Sequence, residues 1–311
     1  MSLLTFIEKF PDEASCRKKF KEYRDKEGIV CKQCGHTRHY WLQGKEQYQC
    51  KQCGFRTTLR SGTVMQASKL PFRYWFIAMH LLTSTKKTFS ALEFQRQIGH
   101  KSYEPIWYML QKLRSAMGQR DSQYRLDKIV ELDEGFFSSV DKENKYKDKQ
   151  VKRGRGSQKK SKILVMASTS YDFNTTKKHN KPKRFRYIRM VVIDDLKSET
   201  IGQAVEKNLS FDSVLKTDNY PSYSSLQQHV WSHKPQTLTG KESLKALPWV
   251  HTMISNVKRT LLGIHHMVSK KHIQKYLDEF CYKTNRRYFG DALFERLLIA
   301  SVSNKYVFSG N

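Results

Sequence analysis

A chain of 311 residues is long for a single hydrophobic core and natural for two or three modules. Lys and Arg number 57 against 29 Asp and Glu, a net charge of +28, which points to a polyanionic partner, nucleic acid first. The 38% hydrophobic and 12% aromatic content excludes a disordered basic tail, and no apolar run approaches the ~20 residues of a spanning helix, so no membrane partner is expected.

The N-terminal MSLLTFIEKFPDEAS has no basic n-region and no uninterrupted apolar stretch. It does not read as a signal peptide, and an intracellular, cytoplasmic protein is expected. The pentapeptide CKQCG then occurs twice, at 31–35 and 50–54, and takes four of the six cysteines; Cys16 and Cys281 stand alone. In a reducing compartment such clustering points to metal thiolates rather than disulfides. A Cys-x-x-Cys turn sets two thiolates on one side of a tetrahedral ion, and the glycine after each pair lets the backbone fold tightly enough for its amides to face the sulfurs. The 15 residues from Gly35 to Gln49 leave room for a short hairpin, with Tyr40, Trp41, Tyr48 and Phe55 as β-prone residues in and beside it. A zinc ribbon over about 28–63 is expected, one structural zinc held by Cys31, Cys34, Cys50 and Cys53, with His36 and His39 as surface residues. Lys32, Arg38, Lys45, Lys51, Arg56 and Arg60 favour a ribbon that reads DNA ends over a metal-stapled spacer.

After the ribbon, Phe72, Trp75, Phe76, Met79 and Leu82 fall at helical spacing behind Pro71 and form a core stripe. Ser90 is placed to cap a short helix to about Gln97, Gly99 to turn the chain, and Trp107, Leu110 and Met117 to lie on a longer helix. This arrangement fits a helix-turn-helix, and a generic helical hairpin fits it as well. The runs KIVELDEGFFSSV, KILVMASTS, RFRYIRMVVIDD and DSVLKTDNY read as strands, with SETIGQAVEKNL as a helix before the last. The order β-β-β-α-β implies an α/β domain with a mixed sheet. The basic DKENKYKDKQVKRGRGSQKKSK between the first two strands reads as a loop beside a nucleic-acid site. The terminal FGDALFERLLIASVS reads as an apolar-striped helix packed on the sheet. The domains are therefore expected at 1–63, 64–124 (helical) and 125–311.

Asp133 lies inside the first of these strands and Asp218 ends the fourth. If the two strands are neighbours, the acids meet at one end of the sheet. Two such carboxylates suit a pair of Mg²⁺ ions for in-line phosphoryl displacement. Glu134 faces the opposite side of the strand from Asp133. His251 has the chemistry to orient a phosphate or water and reads first as a capping or packing residue; His229 and His233, four apart as though on one helix face, are incidental, as are His265 and His266.

The ribbon, PFRYWFIAM, VELDEGFF, KTDNYPSYSSL and PWVHTMISNVKRTLLGIHHMVSKKHIQKYLDEFCYKTNRR, in that order, resemble bacterial insertion-sequence transposases of the zinc-ribbon, ISXO2-like kind. The resemblance spans nearly the whole chain. It implies a ribonuclease H-like catalytic domain of the DDE class that cuts DNA at transposon ends and joins the freed 3′-hydroxyl to target DNA. It also implies two Mg²⁺ or Mn²⁺ ions and a homo-oligomer assembled on DNA. The family's two aspartates fall on Asp133 and Asp218. Its third acidic position has no acid here, since none occurs between Glu242 and Asp278; Asn256 then fits an Asp-Asp-Asn variant, ahead of Glu279. Lys258 and Arg259 follow Asn256, with Lys258 placed for phosphate. The rival functions are a transposase-derived DNA-binding protein without strand transfer and a nuclease that only hydrolyses DNA.

Overall fold

A computed structural model describes residues 1–140, 160–171, 183–237 and 246–306; most of the basic loop expected after the first strand lies outside the described residues. In chain order the helices are α1 (Leu3–Lys9), α2 (Glu13–Glu27), α3 (Phe72–Ser84), α4 (Ala91–Ile98), α5 (Tyr103–Asp121), α6 (Ser198–Asn208), α7 (Pro248–Thr260), α8 (Ile273–Asn285) and α9 (Leu293–Ser303). The strands are β1 (His39–Leu42), β2 (Gln47–Cys50), β3 (Arg56–Thr58), β4 (Ile129–Ser138), β5 (Lys160–Tyr171), β6 (Lys183–Ile193), β7 (Val214–Asp218) and β8 (Ser232–Gln236). They divide into two compact units, one of residues 1–120 with 286–311 and one of 121–285.

In the first unit β1, β2 and β3 form an antiparallel sheet, the hairpin expected between the cysteine pairs. The α3 stripe is buried at Phe72, Trp75, Phe76, Met79 and Leu82. Three rings from two other segments close around it: Phe10 lies 5.0 Å from Phe76, and Phe294 lies 5.8 Å from both Phe6 and Phe76. Phe294 belongs to α9, which packs on α2 and α3. The terminal helix therefore groups with the first unit, and the unit that holds the large sheet runs to residue 285 rather than to the expected 311. An apolar stripe dictates that a helix is buried but not against what. The helical pair is as expected: Ser90 Oγ accepts from the Glu93 amide at 3.1 Å, and Gly99 adopts φ +66° to turn the chain before α5.

The second unit is a five-stranded sheet in the order β6-β5-β4-β7-β8. β4, β5 and β6 are antiparallel neighbours, while β4–β7 and β7–β8 pair in parallel. The crossover through α6 explains the change of direction, since parallel neighbours need a long connection. This is the mixed sheet with the β-β-β-α-β order expected from the sequence, with one further strand added at its edge. Strand alternation assigns the two faces. Val130 and Leu132 of β4 pack with Ile201 and Val205 of α6 and with Tyr223. Phe137 packs on the other side with Val250, Met253, Ile254 and Val257 of α7 and Ile273 and Leu277 of α8. Burying each such side chain contributes ~1.5–3 kcal/mol, which fixes α7 over β4.

The β8 sequence, SHKPQ, lacks any apolar alternation, and the strand was not expected. It is an edge strand, where a proline such as Pro235 costs no ladder bond if its nitrogen faces outward. His229 and His233 accordingly do not share a helix. His229 follows a 3₁₀ segment (Pro221–Gln228), while His233 lies in β8 with Nε2 2.9 Å from Thr217 Oγ1. At the opposite margin, α8 lies along β6. The Asn285 amide accepts from Ile188 N at 2.7 Å and donates to Ile188 O at 3.0 Å; Gln274 accepts from Val192 N at 2.8 Å and donates to Met190 O at 3.0 Å. Two carboxamides thus satisfy four backbone groups of the edge strand, at Ile188, Met190 and Val192.

Candidate active site and metal centre

The β4–β7 ladder pairs Ile129 with Val214, Val130 with Leu215 and Glu131 with Lys216. Continued by two residues, the same register sets Asp133 opposite Asp218, on strands spaced ~4.8 Å apart and with side chains on one face. The hydrogen-bonded ladder ends at Glu131–Lys216, just before the two acids. Asp218 Oδ1 accepts from the Tyr220 amide at 3.2 Å, which fixes the turn that ends the strand.

Along that face β4 presents Glu131, Asp133, Gly135 and Phe137, and α7 runs over them. Glu131, fully buried, accepts through Oε2 from the Trp249 and Val250 amides at 2.9 and 3.2 Å. The N-terminus of α7 has no side-chain cap of its own. A carboxylate from the neighbouring strand supplies one, satisfying amides that a helix start leaves open and complementing its dipole. One step further, His251 Nδ1 stands 3.4 Å from Asp133 Oδ2. At the far end, Lys258 Nζ lies 5.5 Å from the centre of the Phe137 ring. Gly135 makes room for that ring, since a Cβ there would come within 2.6 Å of it.

His251 and Lys258 are seven residues apart and so lie within about 20° of each other around the helix. Asn256 is five residues from His251 and about 140° away. Its Oδ1 accepts from Arg259 Nη2 at 3.3 Å. His251 is the one of the two that stands beside Asp133, while Asn256 pairs with Arg259. Glu279 lies buried on α8, the helix along β6, at the opposite side of the sheet order from β7.

Asp133 is mostly buried, its side chain 16% exposed. Burial, reinforced by the charges of Glu134 and Asp218, pushes its carboxyl up to about 7, against the Glu134 amide that donates to Oδ1 at 2.8 Å. Glu134 faces the other side of the sheet, as expected, and accepts from the buried Tyr223 hydroxyl at 2.6 Å. Burial and this carboxylate hold the phenol far above its ordinary range. A desolvated carboxylate beside a second acid is a hard-oxygen site that gains from a divalent cation.

In the first unit the four cysteine sulfurs lie within 4.8 Å of one another. Cys31 Sγ is 3.6 Å from Cys53 Sγ, and Cys34 Sγ is 3.6 Å from Cys50 Sγ. A tetrahedron with ~2.3 Å Zn–S bonds has edges of about 3.8 Å, so the set fits one zinc ion. Gly35 and Gly54 take φ +74° and +71°. The Cys34 amide lowers the Cys31 thiol to about 7, and the Cys53 amide lowers Cys50, as a knuckle facing its sulfurs requires.

Sequence reading named Asp133, Asp218, Lys258 and the cysteines as candidates, passed over Glu131 and Tyr223, and put capping or packing ahead of a site role for His251. The available signal was the alternation Glu131-x-Asp133, which sets two acids on one strand face.

A four-cysteine zinc module and a mixed sheet that aligns two acids under a basic helix define a DNA-processing class of protein. Residues 125–285 match the ISXO2-like transposase domain and residues 11–56 the transposase zinc-ribbon domain. The chain belongs to the ISXO2-like family of DNA transposases. No curated protein matches it significantly. Among solved structures it is similar to a pre-cleavage Mos1 transpososome, at 13% identity and TM-score 0.28, covering 78% of this chain and 82% of that one. A Mos1 mariner paired end complex with Mn gives 14% identity, TM-score 0.30 and coverage of 76% and 81%. Among the described residues no helix is long and apolar enough to cross a membrane.

Proposed function

We propose that this transposase binds the ends of its own insertion sequence, cleaves the DNA there and joins the freed 3′-hydroxyl to target DNA. The observation that carries the reading is the shared register of Asp133 and Asp218 on parallel neighbours. Asp133 and Asp218 would hold two Mg²⁺ or Mn²⁺ ions; when bound, such a pair supplies activation of the attacking oxygen and charge stabilisation of the leaving one. The Glu134 amide fixes Asp133 Oδ1 and leaves Oδ2 on the His251 side. His251, rather than Asn256, is the third member the geometry favours, its imidazole orienting Asp133 or adding a nitrogen donor. Lys258, on the same flank of α7, offers its ammonium to a phosphate. The ribbon and the α4–α5 pair would hold the DNA by backbone contacts. Two copies acting together on paired ends would follow from joining chemistry.

The test is end cleavage and joining with Mg²⁺ or Mn²⁺ in purified variants. Asp133→Asn and Asp218→Asn should abolish both reactions and leave end binding intact. His251→Ala should lose at least 100-fold, while Asn256→Ala stays within about threefold of wild type. Activity in either aspartate variant overturns the carboxylate assignment, and an inactive Asn256→Ala beside an active His251→Ala restores Asn256 as third member. Cleavage without joining would favour the nuclease, and binding without cleavage the inactive derivative.

A further inference from the structure

Past Thr260, α7 runs into a π-helical turn, Leu261–His265, and the chain returns through His266, a non-glycine residue at φ +49°. The loop is anchored at its return. Val140, just beyond β4, donates to Val268 O at 2.9 Å and accepts from Lys270 N at 3.1 Å, and the His265 ring packs edge-on to Tyr276 at 4.5 Å. On this pinned tip Leu262 is 68% exposed and Met267 74%. They are the two most exposed large apolar side chains among the described residues of the second unit. Leaving both in water forfeits ~1.5–3 kcal/mol each. Lys258 and Arg259 precede the tip and Lys271 follows it, all exposed, with half-buried Lys270 beside them. A membrane or an acidic protein would also suit an apolar tip ringed by cations, but this tip ends the helix that carries His251 to Asp133 and Lys258 to Phe137 on the same strand. Its natural neighbour is the DNA lying on that site.

We propose that Leu262 and Met267 form an apolar wedge that enters the DNA duplex beside the cleavage site and unstacks a base step, while Lys258, Arg259, Lys270 and Lys271 hold the flanking phosphates. The inference rests on the transposase reading. Apolar side chains inserted between base pairs unstack and kink DNA at a cost repaid by added backbone contacts. The helix sets where this happens. For a duplex lying along α7, Leu262, 11 residues and about 16 Å beyond His251 at ~1.5 Å per residue, meets the unstacked step about five base pairs from the scissile phosphate at ~3.4 Å per base pair.

The experiment uses full-length protein and duplexes of the element's end carrying 2-aminopurine at successive positions three to eight base pairs from the cleavage point. Wild type should raise the fluorescence severalfold at one step near the fifth and not at its neighbours. The double variant Leu262→Ala/Met267→Ala should fold with unchanged thermal stability, bind the end within about threefold of wild type, and lose the fluorescence rise. Its cleavage should fall at least tenfold and recover on a duplex already mismatched or abasic at that step, where the unstacking cost has been removed. A rise that persists in the double variant overturns the wedge, as does wild-type cleavage with no rise at any position. A double variant that changes the oligomeric state without DNA assigns the tip to a second copy of the chain and also overturns it. Failure of wild type to bind the end at all would instead bring down the transposase reading underneath.

Discussion

The register of the parallel β4–β7 ladder, carried two residues past its last pair, Glu131–Lys216, sets Asp133 opposite Asp218. Eighty-odd residues of chain separate them, and the α6 crossover exists to bring the second back beside the first. The acids thus meet where backbone pairing has ceased and a ligand can enter between them.

The burial of Asp133, reinforced by the charges of Glu134 and Asp218, gives the metal-free protein a pH dependence. The Asp133 carboxyl stands near 7 in the fold against 3.8 as a free group. Between those values the folded chain holds a proton that the unfolded chain has released. Stability on this account is full below about pH 4 and declines as pH rises through 7, by up to roughly 4 kcal/mol. Asp133→Asn should therefore be more stable than wild type at pH 8 without divalent ions, and the gap should narrow toward pH 4. Asp278, also raised to about 7 by burial, keeps a slope of the same sign in both proteins. Adding Mn²⁺ at pH 8 should stabilise wild type and not the variant. Urea unfolding at several pH values measures all three effects, and equal stability of the two proteins at pH 8 would contradict them.

Glu131 predicts a different kind of failure. Replacing it with Ala strips the Trp249 and Val250 amides of their buried acceptor, at a cost of about 3 kcal/mol. Glu131→Gln keeps an oxygen for those amides and loses only the charge, so its cost should be near 1 kcal/mol. Because the same contact sets where His251 meets Asp133, Glu131→Ala should also lose at least tenfold in cleavage under conditions where the protein remains folded. Chemical denaturation paired with single-turnover cleavage separates the two consequences.

Tyr223→Phe removes the phenol that donates to Glu134 and leaves that carboxylate one partner short in a buried place. The expected loss is about 1–3 kcal/mol, read as a lower urea midpoint with an unchanged slope. Cleavage by the folded variant should remain within about threefold of wild type, because the phenol acts on the face of β4 away from Asp133.

For the ribbon, the sulfur geometry predicts one zinc per chain, measurable by elemental analysis. Cys31→Ser/Cys34→Ser should abolish that zinc and weaken end binding at least tenfold. Unchanged binding in the zinc-free variant would reduce the ribbon to a spacer.

Much of this was legible in the residues because it was locally encoded. Strand alternation in IVELDEGFF, the paired knuckles and the Ser90 cap each show their structure within a few positions. What was missed depends on partners distant in sequence. His251 looks like any histidine near a helix start until Asp133 is brought to it by the fold. Glu131 looks like a charge on a strand until the open end of α7 arrives above it. The polar, proline-bearing β8 carries no apolar period to betray it, and α9 advertises a buried face without naming the helices that cover it. Asn256 was chosen for the third position by resemblance and side-chain chemistry; the angular spacing along α7 is what separates it from His251.

The carboxamides of Gln274 and Asn285 along β6 have a consequence for how copies of this protein can meet. An unsatisfied sheet margin invites another chain to add a strand, and a strongly basic protein that gathers on DNA is concentrated there among identical neighbours. Here an intruding strand would first have to evict two side chains that already answer the backbone donors and acceptors it would use. Along that border, crowding on the same DNA need not become fusion into a common sheet.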